Sequence, residues 1–119
     1  MASDMTYDSE NVFAKIIRGE IPSERVGENE NFIAIRDLHP HAPIHLLIIP
    51  KKEYNSLESI PADDIETMGK MIAFARKIAH QMGIEKNYQL HLNSGAAVQQ
   101  IQHLHLHLLG GWKPGSEPK

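Results

Sequence analysis

A strict alternation of histidine and leucine near the end of the chain restricts its fold more than any other feature. Positions 103–109 read HLHLHLL. Because successive side chains of a β-strand leave on opposite faces, the alternation predicts a strand with leucines on one face and three imidazoles, about 6–7 Å apart, on the other. We predict this strand over 101–109, ended by Gly110 and Gly111. A buried core explains the leucine face, whereas packing does not explain the histidine face.

Three interpretations of the histidine row follow from the residues alone. The row is a solvated strand face, a metal site, or a site that acts on an anion, since imidazole near neutral pH can be a nucleophile, a proton donor or a charge-stabilising donor. The chain has no cysteine, so further metal ligands would have to be other residues. On the third interpretation His105, flanked by His103 and His107, is the natural nucleophile. Its attacking nitrogen must be neutral, so its other ring nitrogen should donate to a carbonyl.

The remainder of the chain predicts one α+β domain. A short helix is expected over 11–18, and a longer one from Pro61 to about Met82. The apolar stripe predicted for the longer helix consists of Ile65, Met68, Ile72, Ala75, Ile78 and Ala79. Extended segments are predicted at 25–26, 31–36, 44–49 and 88–92, with a proline-restricted loop at 37–43 and a small-residue loop at 94–100.

Length and charge limit the classes of protein that the chain can represent. At 119 residues it is long enough for one core and too short for two domains. A net charge of -3 and a pI near 6.2 argue against a broad basic surface for nucleic acid or an anionic membrane. The acidic N-terminus is unlike a signal peptide, and the longest apolar run, 44–50, is too short to cross a bilayer. We therefore expect a cytoplasmic protein with a flexible leader at 1–9, a domain over 10–112 and a tail at 113–119.

The histidine row and several other segments, in the same order, resemble the histidine triad superfamily. The similar segments are 103–109 (HLHLHLL), 13–22 (FAKIIRGEIP), 35–40 (IRDLHP), 42–45 (APIH), 49–52 (IPKK) and 109–111 (LGG). The similarity covers about residues 12–112, and the Gly-Gly ending is typical of the Hint branch. The resemblance implies a homodimer whose subunits each contain a five-stranded antiparallel sheet with one short and one long helix. The sheet would continue across the partner.

The same resemblance implies a hydrolase that cleaves the P–N bond of purine nucleoside 5'-phosphoramidates, or related acyl-adenylates, without a cofactor or metal. His105 would attack the α-phosphorus to form a nucleotidyl-histidine, and Asp37 would accept hydrogen bonds from the ribose. His103, His107 and His45 would surround the phosphate. Gln100 stands at the position of a catalytic hydroxyl residue. The other nucleotide-binding residues implied are Phe13, Ile16, Ile35, Leu38 and Leu47 around the base, and Asn93 and Gln99 near the ribose and phosphate. The implied ligands are purine nucleoside monophosphates and their phosphoramidates, with no nucleic-acid or membrane partner.

Several of these residues also have a purely structural interpretation. Aspartate before a proline-rich loop, as at Asp37, is typical of a turn cap, and a histidine in an apolar strand, as at His45, is typical of a satisfied buried group. Phe13 and Ile16 have the helical spacing of core residues, and Asn93 could simply suit the start of a loop. His39, His41, His80 and His91 have no assigned role.

The loop before the histidine row departs from the family pattern. Val98 stands where glycine is expected, Gln100 where serine or threonine is expected, and Gln102 where an aromatic residue is expected. The segment 93–103 is also one residue shorter. Valine is stiff and disfavours positive φ, and glutamine has its donor on a longer arm. The altered loop leaves open a second hypothesis, a nucleotide-binding adaptor with weak catalysis, and the histidine row leaves open a third, a metal-binding protein.

Overall fold

A computed structural model of the protein describes residues 6–116 and 118, and its centre is a five-stranded antiparallel sheet. The strands are β1 (Arg25–Glu28), β2 (Phe32–Arg36), β3 (Ile44–Pro50), β4 (Tyr88–Leu92) and β5 (Leu106–Gly110). Their order across the sheet is β1-β2-β3-β5-β4, so the last strand lies between β3 and β4. The predicted α+β class and five-stranded antiparallel sheet are confirmed. No helix within the described residues is long and apolar enough to span a membrane.

The long helix, α2 (Thr67–Gln81), covers one face of the sheet. Its buried side chains include Met71, Phe74 and Ile78, and Phe74 stacks on Phe32 of β2 with ring centroids 5.6 Å apart. The core on this face consists of Phe32, Ala34, Leu46, Ile48, Ile60, Met71, Phe74, Ala75, Ile78, Ala79, Ile84, Leu104, Leu106 and Leu108.

The predicted stripe on this helix is partly wrong. Ile65 and Ile72 are 50% and 47% exposed, whereas Met71 and Phe74 face the core. Apolar residues occupy two adjacent stripes of α2, so the helical period alone could not select the face that packs on the sheet. The helix also begins later than predicted, at Thr67, after a 3-10 turn over Ala62–Asp64.

A short helix, α1 (Val12–Ile17), covers part of the opposite face. The Asn11 side chain caps it by accepting a hydrogen bond from the Ala14 amide at 2.9 Å, and Gly19 ends it with a φ of +81°. The second core, on this side, consists of Phe13, Ile16, Ile33, Ile35, Leu47 and Ile49. Because β2 and β3 carry core on both faces, their sequences are almost continuously apolar.

The last strand is shorter than predicted. Residues 101–105 lie outside the sheet, and β5 begins only at Leu106, which pairs with Ile48 of β3. The Leu104 amide instead donates to the Tyr54 carbonyl at 2.8 Å, which holds this segment against another part of the chain. Of the three histidines in the row, only His107 therefore lies in a β-strand.

Candidate active site

A cavity of about 770 Å³ opens between α1, the loop after β2 and the segment before β5. His45 of β3 and His107 of β5 line it together with His105, which precedes β5. The residues that line it are Val12, Phe13, Ile16, Ile21, Pro22, Ser23, Glu24, Ile35, Arg36, Asp37, Leu38, His39, His41, His45, Leu47, Asn93, Val98, Gln100, Ile101, His105 and His107. Most of the residues predicted from the sequence are thus brought to one cavity.

His45 and His107 form a directly hydrogen-bonded pair. The Nε2 atom of His45 lies 2.9 Å from Nδ1 of His107, and the His41 amide donates to Nδ1 of His45 at 3.0 Å. Since Nδ1 of neutral His45 accepts, its proton must be on Nε2, from which it is donated to Nδ1 of His107. Neutral His107 consequently carries its own proton on Nε2. His45 thus donates to His107, and His107 in turn keeps an Nε2–H that it can donate; we call this pair the donor relay.

His105 has the opposite tautomer. Its Nδ1 lies 2.7 Å from the His103 carbonyl oxygen, which can only accept, so the proton of neutral His105 is on Nδ1. The Nε2 atom therefore keeps its lone pair. The Phe13 and His107 rings pack edge-on against this ring, with centroids 5.0 and 5.1 Å away. The expected hydrogen bond from the nucleophile to a carbonyl is present.

His103 does not line the cavity. It is fully buried, and its Nε2 donates to the Pro50 carbonyl at 2.8 Å. Its Nδ1 accepts from the Tyr7 hydroxyl at 2.6 Å. His103 is thus set apart from the cavity that His105 and His107 line, because residues 101–105 leave the strand conformation that would have aligned the three rings, and its place beside the phosphate stays a prediction.

Burial keeps these imidazoles neutral. Burial lowers the pKa of His103 to about 4, although its hydrogen bond to the Pro50 carbonyl opposes this. Burial, together with His105 and His45, lowers the pKa of His107 to about 4. Burial also lowers the pKa of His105 and of His45, against the opposing charge of Asp37. Neutral rings at pH 7 are the condition under which His105 Nε2 is a nucleophile.

Asp37 performs a structural task and also faces the histidine pair. Its Oδ1 accepts from the His39 amide at 2.8 Å, as a turn cap does, while its Oδ2 lies 3.4 Å from His45 Nε2. The turn-cap interpretation and the cavity-facing interpretation therefore describe the two oxygens of one carboxylate. The neighbouring Leu38 is 88% exposed and lies on the cavity lining.

The remaining predicted residues divide into those that line the cavity and those that hold its loop. Phe13, Ile16, Ile35 and Leu47 form a buried apolar wall, and Asn93 and Gln100 are exposed lining residues. Gln99, in contrast, does not line the cavity. Its amide nitrogen donates to the Asn55 and Ile101 carbonyls at 2.8 and 3.0 Å, and its side-chain oxygen accepts from the Gly95 amide. The sequence interpretation placed the backbone near Gln99 at the ribose and phosphate, which stays a prediction, and the Gln99 side chain holds the loop.

Three features of the site were missed by sequence reasoning. Tyr7 contacts His103 from a segment predicted as a flexible leader, of which residues 1–5 lie outside the described residues. The His41 amide fixes the His45 tautomer, but a backbone group leaves no trace in the sequence. Ser23 lines the cavity, and its hydroxyl is buried with no hydrogen-bond partner within residues 6–116 and 118. No pattern in the sequence pointed to Tyr7 or Ser23.

One group of potential metal ligands lies in the same place. Ligand atoms of Asp37, His45 and His107 are all within 4.8 Å of one another. Tetrahedral ligands about 2.0–2.1 Å from zinc lie about 3.3–3.4 Å apart. The 2.9 Å between the His45 and His107 nitrogens is instead a hydrogen-bond distance, so the arrangement fits a shared proton better than a zinc ion.

Known proteins share this sequence and fold. Residues 18–113 match the HIT domain family model. A HIT-like protein of Chlamydia pneumoniae is 48% identical over 101 residues, which cover 84% of this chain and 92% of that protein. The solved structure of a histidine triad protein from Clostridium difficile has a TM-score of 0.85 at 35% identity, covering 95% of this chain and 100% of that one. A HIT family hydrolase from Legionella pneumophila has a TM-score of 0.80 at 41% identity, covering 86% of this chain and 93% of that one. The chain therefore belongs to the HIT domain family and has the histidine triad fold.

Proposed function

We propose that the protein hydrolyses the P–N bond of purine nucleoside 5'-phosphoramidates, or related acyl-adenylates, through a nucleotidyl-histidine on His105. The observation that carries the proposal is the tautomer of His105. Its Nδ1–H is bound to the His103 carbonyl at 2.7 Å, and its ring lines a cavity of about 770 Å³. Cavities of this size are typical of small-ligand sites.

The first chemical step forms a bond between His105 Nε2 and the α-phosphorus while the P–N bond to the leaving amine breaks. The amine takes a proton from solvent. The nucleotidyl-imidazole is then cationic, and its Nδ1–H continues to donate to the His103 carbonyl. His107, whose Nε2 carries a proton, supplies a donor to a non-bridging phosphate oxygen. In the second step water attacks phosphorus and loses a proton to solvent, the P–Nε2 bond breaks with its electron pair returning to His105 Nε2, and the nucleoside monophosphate leaves.

The cavity offers a separate environment to each part of a nucleotide. The apolar wall of Phe13, Ile16, Ile35 and Leu47 suits a flat base, and Asp37 presents a carboxylate oxygen to the ribose hydroxyls. Asn93 and Gln100 also line the cavity and are the polar groups that we assign to the phosphate and leaving group. Contacts of this kind favour a nucleoside monophosphate over a free phosphate.

The proposed assembly is a homodimer in which the sheet continues through β4 of each copy. Strand β4 (Tyr88–Leu92) forms one edge of the sheet and β1 the other, and an edge strand presents hydrogen-bonding groups that a second copy can pair. Light scattering on the purified protein is the direct test, and a monomer at micromolar concentration would exclude this assembly.

The test of the function is a single-turnover reaction with a fluorogenic adenosine phosphoramidate, followed by mass spectrometry of the protein. Wild type should give a burst and a covalent nucleotidyl adduct, and His105→Ala should give neither while still binding AMP. The matched control is His80→Ala on the exposed side of α2, which should react as wild type does. Equal turnover by His105→Ala and wild type would exclude the mechanism. AMP binding without turnover by wild type would instead favour a nucleotide-binding adaptor.

Zinc binding is a second candidate because of the Asp37, His45 and His107 group. A zinc ion bound by both histidines would replace the hydrogen bond between them, and their nitrogens would have to move further apart than the present 2.9 Å. Metal analysis of protein purified without added zinc discriminates the two candidates. Stoichiometric zinc in active protein would contradict the hydrogen-bonded relay.

A further inference from the structure

The N-terminal segment contacts His103 from outside the part of the chain that matches the family model. That match begins at residue 18, whereas Tyr7 lies against His103. The Tyr7 hydroxyl is 2.6 Å from His103 Nδ1, and the two rings are in edge contact with centroids 5.5 Å apart. The contact is thus both polar and apolar.

The segment that carries Tyr7 is attached to α1 by several hydrogen bonds. The Asn11 amide and side chain both donate to the Asp8 carbonyl, at 3.2 and 2.7 Å, and Arg18 donates to the Ser9 carbonyl at 2.8 Å. Asn11 is also the cap of α1. The position of Tyr7 is therefore set by the same helix that supplies Phe13 to the cavity wall.

The hydrogen-bond inventory of His103 leaves one role for the Tyr7 hydroxyl. Nε2 of His103 faces a carbonyl oxygen, that of Pro50, so it must donate, and Nδ1 of the neutral ring must accept. The Tyr7 hydroxyl is the donor at that atom. Burial raises the pKa of Tyr7, which keeps the hydroxyl protonated at neutral pH. Without it, a fully buried ring nitrogen would lose its partner.

The carbonyl of His103 connects this contact to the nucleophile. It accepts the Nδ1–H of His105 at 2.7 Å and thereby leaves Nε2 of His105 free. Residues 101–105 receive no ladder hydrogen bonds, so the orientation of that carbonyl depends on side-chain contacts and on the Leu104 amide. We propose that Tyr7 is a positioning residue that clamps the His103 ring and so keeps the His103 carbonyl directed at His105.

The expected change in reaction rate rests on the proposed function, whereas the expected change in the hydrogen bonds of His103 and His105 does not. The test uses Tyr7→Phe, which keeps the ring and removes the hydroxyl. The matched control is Tyr54→Phe, which likewise removes a tyrosine hydroxyl hydrogen bond, here to Asp64 outside the cavity. For each protein we would measure the single-turnover rate constant of nucleotidyl-histidine formation, the Kd for AMP, and the ring-nitrogen NMR signals of the histidines.

We expect Tyr7→Phe to lower the rate constant about tenfold, because small misplacements of reacting groups are costly, while the Kd for AMP stays within about twofold. In Tyr7→Phe the His103 Nδ1 signal should shift because that nitrogen loses its donor, and the His105 signals should move toward a mixture of tautomers, whereas Tyr54→Phe should leave rate constant and ring signals unchanged. Unchanged ring signals in Tyr7→Phe would overturn the proposal, whatever the rate. A parallel loss of AMP binding, or an equal loss in Tyr54→Phe, would also overturn it by indicating general distortion. If wild type has no turnover, the proposed function fails, and the NMR comparison still decides whether Tyr7 holds His103.

Discussion

Three of the histidines that line the cavity and the buried His103 beside them have two different kinds of support. His45 and His107 lie in neighbouring strands, where the β3–β5 ladder fixes their backbones and brings their rings into direct hydrogen bonding. His103 and His105 lie in a segment outside the ladder, and their orientation depends on the Pro50 carbonyl, the Tyr7 hydroxyl and their own hydrogen bond. The group proposed to react is therefore the one without ladder support.

This difference separates two tasks. A ladder holds a donor relay in place without any further side chain, which suits the stabilisation of a phosphate charge. An imidazole nucleophile needs one ring nitrogen occupied by a hydrogen bond and the other free, as the His103 carbonyl provides for His105. The irregular backbone at 103–105 allows the His103 carbonyl to reach the His105 ring. We therefore expect substitutions in the two regions to have different kinetic signatures.

The largest effect is expected for His107→Ala, which changes the histidine pair held by the β3–β5 ladder. It removes the Nε2 donor that we propose for the phosphate and leaves the His45 Nε2–H without its acceptor. Loss of one such donor costs about 10²–10³-fold in rate, and the His105 tautomer should not change. The measurement is the single-turnover rate constant, with His80→Ala on the exposed side of α2 as control. A rate near that of wild type would show that the relay is not part of the chemistry.

The second effect is on stability, and it tests the support of His103 in the segment outside the ladder. The pKa of His103 is about 4 in the folded protein and about 6.5 in the unfolded chain, so the unfolded state binds more protons between these values. The stability due to the neutral ring is fully present above pH 6.5 and is lost as the pH falls toward 4. The loss attributable to His103 is about 3 kcal/mol across that window.

Urea unfolding of wild type and His103→Asn at several pH values between 7.5 and 4 measures this contribution. The free energy of unfolding should fall more steeply with decreasing pH in wild type than in His103→Asn, because asparagine does not titrate. Parallel curves for the two proteins would mean that His103 is not held neutral by burial.

The third effect is on nucleotide binding and concerns Asp37, whose carboxylate lies beside His45. Asp37→Asn keeps an oxygen that can accept from the His39 amide and removes the charge near His45. We expect affinity for AMP to fall about tenfold, as for the loss of a charge-assisted hydrogen bond. Calorimetry with AMP and with its 2',3'-dideoxy analogue is the measurement. An equal loss with both ligands would assign the effect to the loop and not to the ribose.

Much of the fold was predictable because local patterns agreed with it. The continuous apolar run of β3, the alternation in β4 and the Asn11 to Gly19 helix signals all correspond to observed elements. The hydrogen bond from the nucleophile to a carbonyl followed from chemistry. The start of β5 at Leu106 could not be predicted. The Leu104 amide donates to the Tyr54 carbonyl, fifty residues away in sequence, and the alternation of residues cannot reveal a hydrogen bond that competes with strand pairing. Tyr7 was missed for the same reason.

The smallest effect is expected at Gln100, where the sequence departs from the family pattern. Its side chain is exposed and lines the cavity, whereas the adjacent Gln99 is buried and ties the loop to Asn55. An exposed amide is poorly fixed, so Gln100→Ala should change the rate constant by only about twofold to threefold, a few tenths of a kcal/mol. Gln99→Ala removes hydrogen bonds of the loop and should have the larger effect. Rate constants with a small and a bulky leaving amine measure both variants. A loss of a hundredfold or more in Gln100→Ala, absent in Gln99→Ala, would instead assign leaving-group chemistry to Gln100, and the departure at this position would then be a functional replacement of the hydroxyl.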